Sequence, residues 1–143
     1  MPQNRSRTAV LAGIVASVLA IAAVALSSDA LRTQLAGAYA YPNASGMSLD
    51  DATSWTTTYL FLIFGAALLV ALIYLIPRVA GSRAGWWTGA VLTVLGAALA
   101  IYNATQAFPM LIRVAGFLPV AAGLVWLSLS GSGRRTARAA AAA

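Results

Sequence analysis

Ser48-Leu49-Asp50-Asp51-Ala52-Thr53-Ser54-Trp55-Thr56-Thr57-Thr58-Tyr59 leads into an apolar run, Leu60 to Ile76, that ends at Pro77-Arg78. Ser48 is suited to cap a helix start, and Asp50 and Asp51 suit the positive end of its dipole. The apolar part is long enough to cross most of a bilayer, and the polar part stands in front of it, outside the hydrocarbon. One helix is therefore expected to run from an aqueous face through a membrane to the opposite face.

The rest of the composition agrees. The chain has 143 residues, 61% hydrophobic and 8% charged, where a soluble domain carries about 25% charged residues. Most side chains therefore do not meet water, and lipid is the economical explanation. The nine basic residues are all Arg and the three acids are all Asp. Such Ala- and Arg-rich usage is associated with GC-rich bacterial genomes. There is no Cys and no His, which removes disulfides, thiolate sites, the usual haem and zinc ligands and the commonest general base. No cofactor and no metal are expected. A basic chain invites a nucleic-acid reading, but most of the Arg flank apolar runs, where a topological role accounts for them. No nucleic-acid partner is expected.

Outward from the opening stretch, four spans are expected, at 8–27, 57–77, 86–105 and 109–130, in a single integral membrane domain covering 1–143. The first, Thr8 to Ser27, is uncharged and longer than the roughly 7–15 apolar residues of a signal peptide, so a retained span is expected. Ala9, Gly13 and Ser17 recur at steps of four, as do Ala12, Ala16 and Ala20. Gly85, Gly89, Thr93 and Ala97 repeat the pattern in the third span. Small residues at this spacing let helix backbones approach, inside the bundle, toward a protein partner or in a homo-oligomer. The plainer reading is an Ala-rich composition.

The loop 28–56 is expected to hold a short interfacial helix with Leu31, Leu35 and Tyr39 on one face and Asp29 as its cap. Asn43-Ala44-Ser45 and Asn103-Ala104-Thr105 match a glycosylation sequon, a pattern short enough to arise by chance. Asn103 to Phe108 reads as a short polar turn, and Pro109 suits the first turn of the last helix. Pro119 should kink that helix. A basic, Ala-rich tail, 131–143, follows, with a disordered end expected. Trp86, Trp87 and Trp126 on one side, and Trp55 on the other, read as aromatic belts.

With four spans, Arg5, Arg7, Arg78, Arg83, Arg134, Arg135 and Arg138 share one side, and only Arg32 lies in the opposite loops. By the positive-inside rule both termini are cytoplasmic, in the cell inner (plasma) membrane, and all three Asp face outward. The fold class is thus all-α: a polytopic four-transmembrane-helix up-down bundle with a short interfacial helix in the outer loop.

Arg113 is the first candidate for function. A charge within a span costs at least ~2.5–3.5 kcal/mol at the bilayer centre. Residue counting places Arg113, Asn103 and Tyr59 at similar depths in the outer leaflet, with Tyr102 nearby and Asp51 well above. An anion site or lipid-headgroup site follows, with Arg113, Asn103, Gln106, Tyr59, Trp55 and Tyr102 as its residues. Against it stands simple snorkelling of Arg113 to the interface. Asp50 and Asp51 are the weak catalytic candidates. Adjacent on a helix, they point about 100° apart and make a poor dyad, and a capped helix start is the preferred reading of them. Asp51, Trp55 and Tyr59 do share a face.

Three function classes remain. The first is a non-catalytic membrane component, an accessory or assembly subunit or a lipid-binding module, whose partners are membrane lipids. The second is a membrane-embedded enzyme for a lipid or isoprenoid-like substrate, with Asp50 or Asp51 as acid or base. The third is a small transporter. Four spans in a short chain resemble the small multidrug-resistance proteins in outline only. Those depend on an acid in the first span, and Thr8 to Ser27 has none. The first class fits best, since no nucleophile, ligand cluster or nucleotide loop is present.

Overall fold

A computed structural model describes residues 2–141, with side chains for residues 4–131. The described residues form six helices and no strand: α1 (Pro2–Leu26), α2 (Ser28–Ala38), α3 (Leu49–Ile73), α4 (Pro77–Gly81), α5 (Arg83–Thr105) and α6 (Met110–Ala141). Four segments are long and apolar enough to cross a membrane: Asn4–Leu26, Leu49–Ile73, Arg83–Thr105 and Met110–Gly131.

α1, α3 and α5 start before the expected spans, whereas α3 stops at Ile73, short of the expected 77, and Pro77 opens α4 instead. α3 starts at Leu49, because the Ser48 hydroxyl accepts from the Asp51 backbone N–H at 3.1 Å and donates to the Asp51 carboxylate at 2.7 Å. The polar segment in front of the apolar run is therefore helix, as that cap predicts. α5 is capped in the same way by Ser82, whose hydroxyl accepts from the Gly85 N–H at 2.8 Å. It continues to Thr105, so Asn103 belongs to its last turn and not to a connecting loop. Asp29 does not cap α2. It lies in the first turn, and Ser27 stands at the cap position without a side-chain bond. α6 runs unbroken past Pro119 and through the Ala-rich tail to Ala141. The tail, expected to end in disorder, is thus helical as far as Ala141, and residues 142–143 lie outside the described residues.

α1 is the centre of the packing. Its buried positions, Ala9, Val10, Gly13, Ala16, Ser17, Ala20, Ala23 and Val24, follow helical spacing along one stripe. Small side chains there bring α1 against both α3 and α6, while α5 packs on α6 and α2 on α3. The stripe on α5 is likewise turned inward at Gly85 and Gly89.

Two buried clusters close the two ends. One joins Ala9, Val10, Tyr74 and Trp126, beside Val79 and Trp86. Arg5, Arg7, Arg78 and Arg83 flank that end in the chain, and we term it the Arg-bearing end. The other joins Val24, Leu31, Leu35, Leu60, Phe64, Phe108 and Ile112. All three Asp lie in the segments beside it, and we term it the Asp-bearing end. Trp126 is not a belt residue. It is 5% exposed and meets Tyr74 edge to face, with ring centroids 4.9 Å apart.

Candidate functional site

The Asp-bearing end carries a pocket of about 560 Å³ between the end of α2, the following loop, α3 and the end of α5. Four of the six residues expected to bind a ligand line it: Trp55, Tyr59, Tyr102 and Gln106. Helical spacing explains the grouping. Trp55 and Tyr59 lie one turn apart on α3, and Tyr102 and Gln106 one turn apart at the end of α5.

The other two stand behind the wall and hold it. Asn103 is 4% exposed, and its side-chain oxygen accepts from the Tyr59 hydroxyl at 3.1 Å. This bond ties α3 to α5 and fixes the Tyr59 ring. Arg113 does not line the pocket. Its Nη2 donates to the Gln106 carbonyl at 2.7 Å, just past the end of α5, where that carbonyl also accepts from the Phe108 N–H at 2.8 Å. Its Nε is buried and makes no hydrogen bond among the described residues.

Tyr39, Tyr41, Asn43, Leu35, Thr56, Ala107 and Phe108 complete the lining. The sequence carried a signal for the first of these, since Tyr39, Tyr41, Trp55 and Tyr59 concentrate rings around one loop. The loop conformation that brings Tyr39 and Tyr41 over α3 is tertiary. The Asn43 side-chain oxygen organises it, accepting from the Ser45 N–H at 3.1 Å, the Ser45 hydroxyl at 2.7 Å and the Met47 N–H at 2.9 Å. Gly46 follows at φ +80°, a conformation that a side chain disfavours.

The two weak catalytic candidates are engaged elsewhere. Asp50 takes the Arg32 guanidinium, Nε at 3.0 Å and Nη2 at 2.8 Å on one oxygen. The pair is largely exposed and adds little to stability. Asp51 is bonded to Ser48. Neither carboxylate lines the pocket. No group of three or more acids, His or Cys fit for a metal occurs among the described residues.

The pocket lining is therefore uncharged: six aromatic rings, two amides and a threonine hydroxyl. Such a surface offers stacking faces and neutral hydrogen-bonding groups. It offers no acid or base for proton transfer other than phenols. The class of protein so defined is a small, all-helical chain with four helices of membrane-crossing length and an aromatic pocket at one end. Comparison with known protein families, with curated proteins and with solved structures finds no match.

Proposed function

We propose that this is a small, non-catalytic, lipid-binding component of the cell inner (plasma) membrane, folded as an up-down bundle with both termini cytoplasmic. The bilayer then places the Asp-bearing end at the outer leaflet. The pairing of the α1 start with the α3 end and the last apolar turns of α6 in one buried cluster supports alternating helix directions. α2 packs Leu31 and Leu35 onto the end of the bundle and exposes Asp29, Arg32 and Thr33, so its polar face suits the water-facing side of a membrane. The excess of Arg at the other end supports the orientation.

One observation carries the functional reading: the uncharged aromatic pocket at the Asp-bearing end, which the proposed orientation sets at the level of lipid headgroups. Trp and Tyr favour that level in any membrane protein, because their rings are amphipathic. A belt alone does not explain a concave site to which α2, its following loop, α3 and the end of α5 all contribute. Nor does it explain a buried Asn103 holding one ring in place. The headgroup bound there is recognised by ring faces, amides and hydroxyls. Arg113 serves as a positioning residue that holds Gln106.

Native mass spectrometry from mild detergent tests this. The protein is first equilibrated in vesicles containing phosphatidylglycerol and an uncharged glycosyl diacylglycerol. Wild type is expected to retain one lipid, the uncharged one preferentially. The double variant Trp55→Ala/Tyr102→Ala is expected to retain at least tenfold less. Wild type without lipid, or equal retention by the double variant, overturns the reading.

A further inference from the structure

α3 and α5 are joined at two heights and separated between them. Near the Asp-bearing end Tyr59 donates to Asn103 at 3.1 Å. Near the Arg-bearing end the Tyr74 hydroxyl donates to the Gly85 carbonyl at 2.6 Å. Between these ties the two helices form none of the close helix–helix packings of the fold. A second cavity of about 330 Å³ fills the interval, walled by Ala67 and Ala71 of α3 and Leu92 and Gly96 of α5, with α1 and α6 behind. Small residues normally let helices close on one another. Here they line a void instead.

The pocket and the cavity follow one another along the α3–α5 seam without a shared lining residue, and we term the two together the α3–α5 cleft. On α3 the pocket uses Trp55, Thr56 and Tyr59, and the cavity resumes one turn on at Ile63. On α5 the pocket uses Gln106 and Tyr102, and the cavity resumes at Leu99. The Tyr59–Asn103 bond is the strap between them. Chemistry changes along the cleft, from amides and phenols to mainly aliphatic walls that end at Tyr74 and Trp126. Of the two aliphatic hydroxyls in the cavity, Ser17 already donates to the Gly13 carbonyl at 2.9 Å and Thr93 to the Gly89 carbonyl at 2.8 Å. Water entering it would find few partners. From Ile63 to Tyr74 the cleft runs ~16 Å at 1.5 Å per residue, about half of the ~30 Å hydrocarbon. Its rim is open sideways, because Leu95 and Leu99 are exposed.

We infer that the α3–α5 cleft takes the hydrocarbon chain of one long-chain lipid whose head occupies the aromatic pocket. This rests on the headgroup reading and extends it to the whole ligand. A protein helix is excluded as the occupant. It is about 10–12 Å across, and it cannot enter between two helices tied at both ends. A flexible chain slips past the strap sideways and fills the void, regaining the dispersion contacts that an empty cavity forgoes.

The full-length protein is tested in phosphatidylcholine nanodiscs doped with a diacyl lipid that bears a diazirine near one chain end. After illumination, adducts are mapped by peptide mass spectrometry. The inference expects adducts on cleft residues such as Ala71, Leu92 and Gly96, and an at least fivefold loss of them in Ala67→Phe, which fills the cavity from α3. Gly96→Leu fills it from α5 and serves if Ala67→Phe does not fold. Adducts on wild type confined to lipid-facing residues such as Leu62, Leu69 and Val91 overturn the inference without needing either variant. If a filled variant still retains one lipid while Trp55→Ala/Tyr102→Ala does not, the chain lies elsewhere and only the headgroup reading survives. If wild type retains no lipid at all, both fall.

Discussion

Tyr59 and Asn103 show how one hydrogen bond is used twice. Asn103 is buried in the last turn of α5, and Tyr59 is the donor that satisfies its side-chain oxygen. The same bond sets the ring that forms the floor of the pocket and the strap across the cleft. Replacing Tyr59 by Phe keeps the ring and removes the donor. The expected cost is ~1–3 kcal/mol, that of leaving a buried acceptor unpaired. It is read as a lower melting temperature in detergent than that of wild type. Tyr39→Phe, at an exposed ring, leaves the melting temperature unchanged. Arg113 acts on the neighbouring residue through its bond to the Gln106 carbonyl. Arg113→Leu removes that bond, together with the cost of a buried, unpartnered Nε. Lipid retention is therefore expected to fall more than the melting temperature does, and native mass spectrometry beside a thermal melt separates the two. An equal fall in both would make Arg113 a fold residue only.

Helix ends and close approaches decide how the elements meet. α3 begins where Ser48 caps it, and Ser48→Ala is expected to cost ~1 kcal/mol. Fraying then spreads from Leu49 toward Trp55, and hydrogen exchange of the amides of residues 51–54 reports it. α5 approaches α6 at Gly89. A Cβ built there would lie 2.6 Å from the Trp126 ring and 3.1 Å from the Tyr74 hydroxyl. Both neighbours belong to the buried cluster at the Arg-bearing end and have little room to yield. Gly89→Leu is expected to destabilise by about 1–3 kcal/mol through overpacking, visible as a fall in melting temperature. It should also break the Tyr74–Gly85 tie, so the cleft opens at its lower end.

Taken together, the helices form a bundle whose charges segregate. Arg crowds one end, and the three Asp and the aromatic pocket occupy the other. The chain has no Cys, so single cysteines report orientation directly. Ser45→Cys, in the exposed loop beside the pocket, is expected to react with a membrane-impermeant maleimide in intact cells. Arg78→Cys, exposed at the opposite end, is expected to react only after the membrane is opened. The reverse pattern would place the pocket at the cytoplasmic leaflet and contradict the orientation proposed above.

The amino-acid sequence by itself determined the helices, because those signals are local. Apolar runs of spanning length, the Ser48 cap, the proline and glycine punctuation and the grouping of Arg all act over a few residues of chain. Residue counting was also enough to set Tyr59 and Asn103 at one depth, since a helix rises uniformly. Which faces meet was decided only in three dimensions. A helix in lipid is apolar all round, and lipid tails are as apolar as leucine, so hydrophobicity does not choose a face. Small-residue stripes on α1 and α5 narrowed the choice, but the same pattern on α3, at Ala67 and Ala71, borders a void. Arg113 was legible as an unusual charge, yet its partner is a backbone carbonyl in the turn after α5, shared with the Phe108 N–H, which no side-chain pattern encodes. The pocket itself depends on the loop that Asn43 organises bringing Tyr39 and Tyr41 over α3. Such a contact joins residues distant in the chain, and it exists only once the helices have packed.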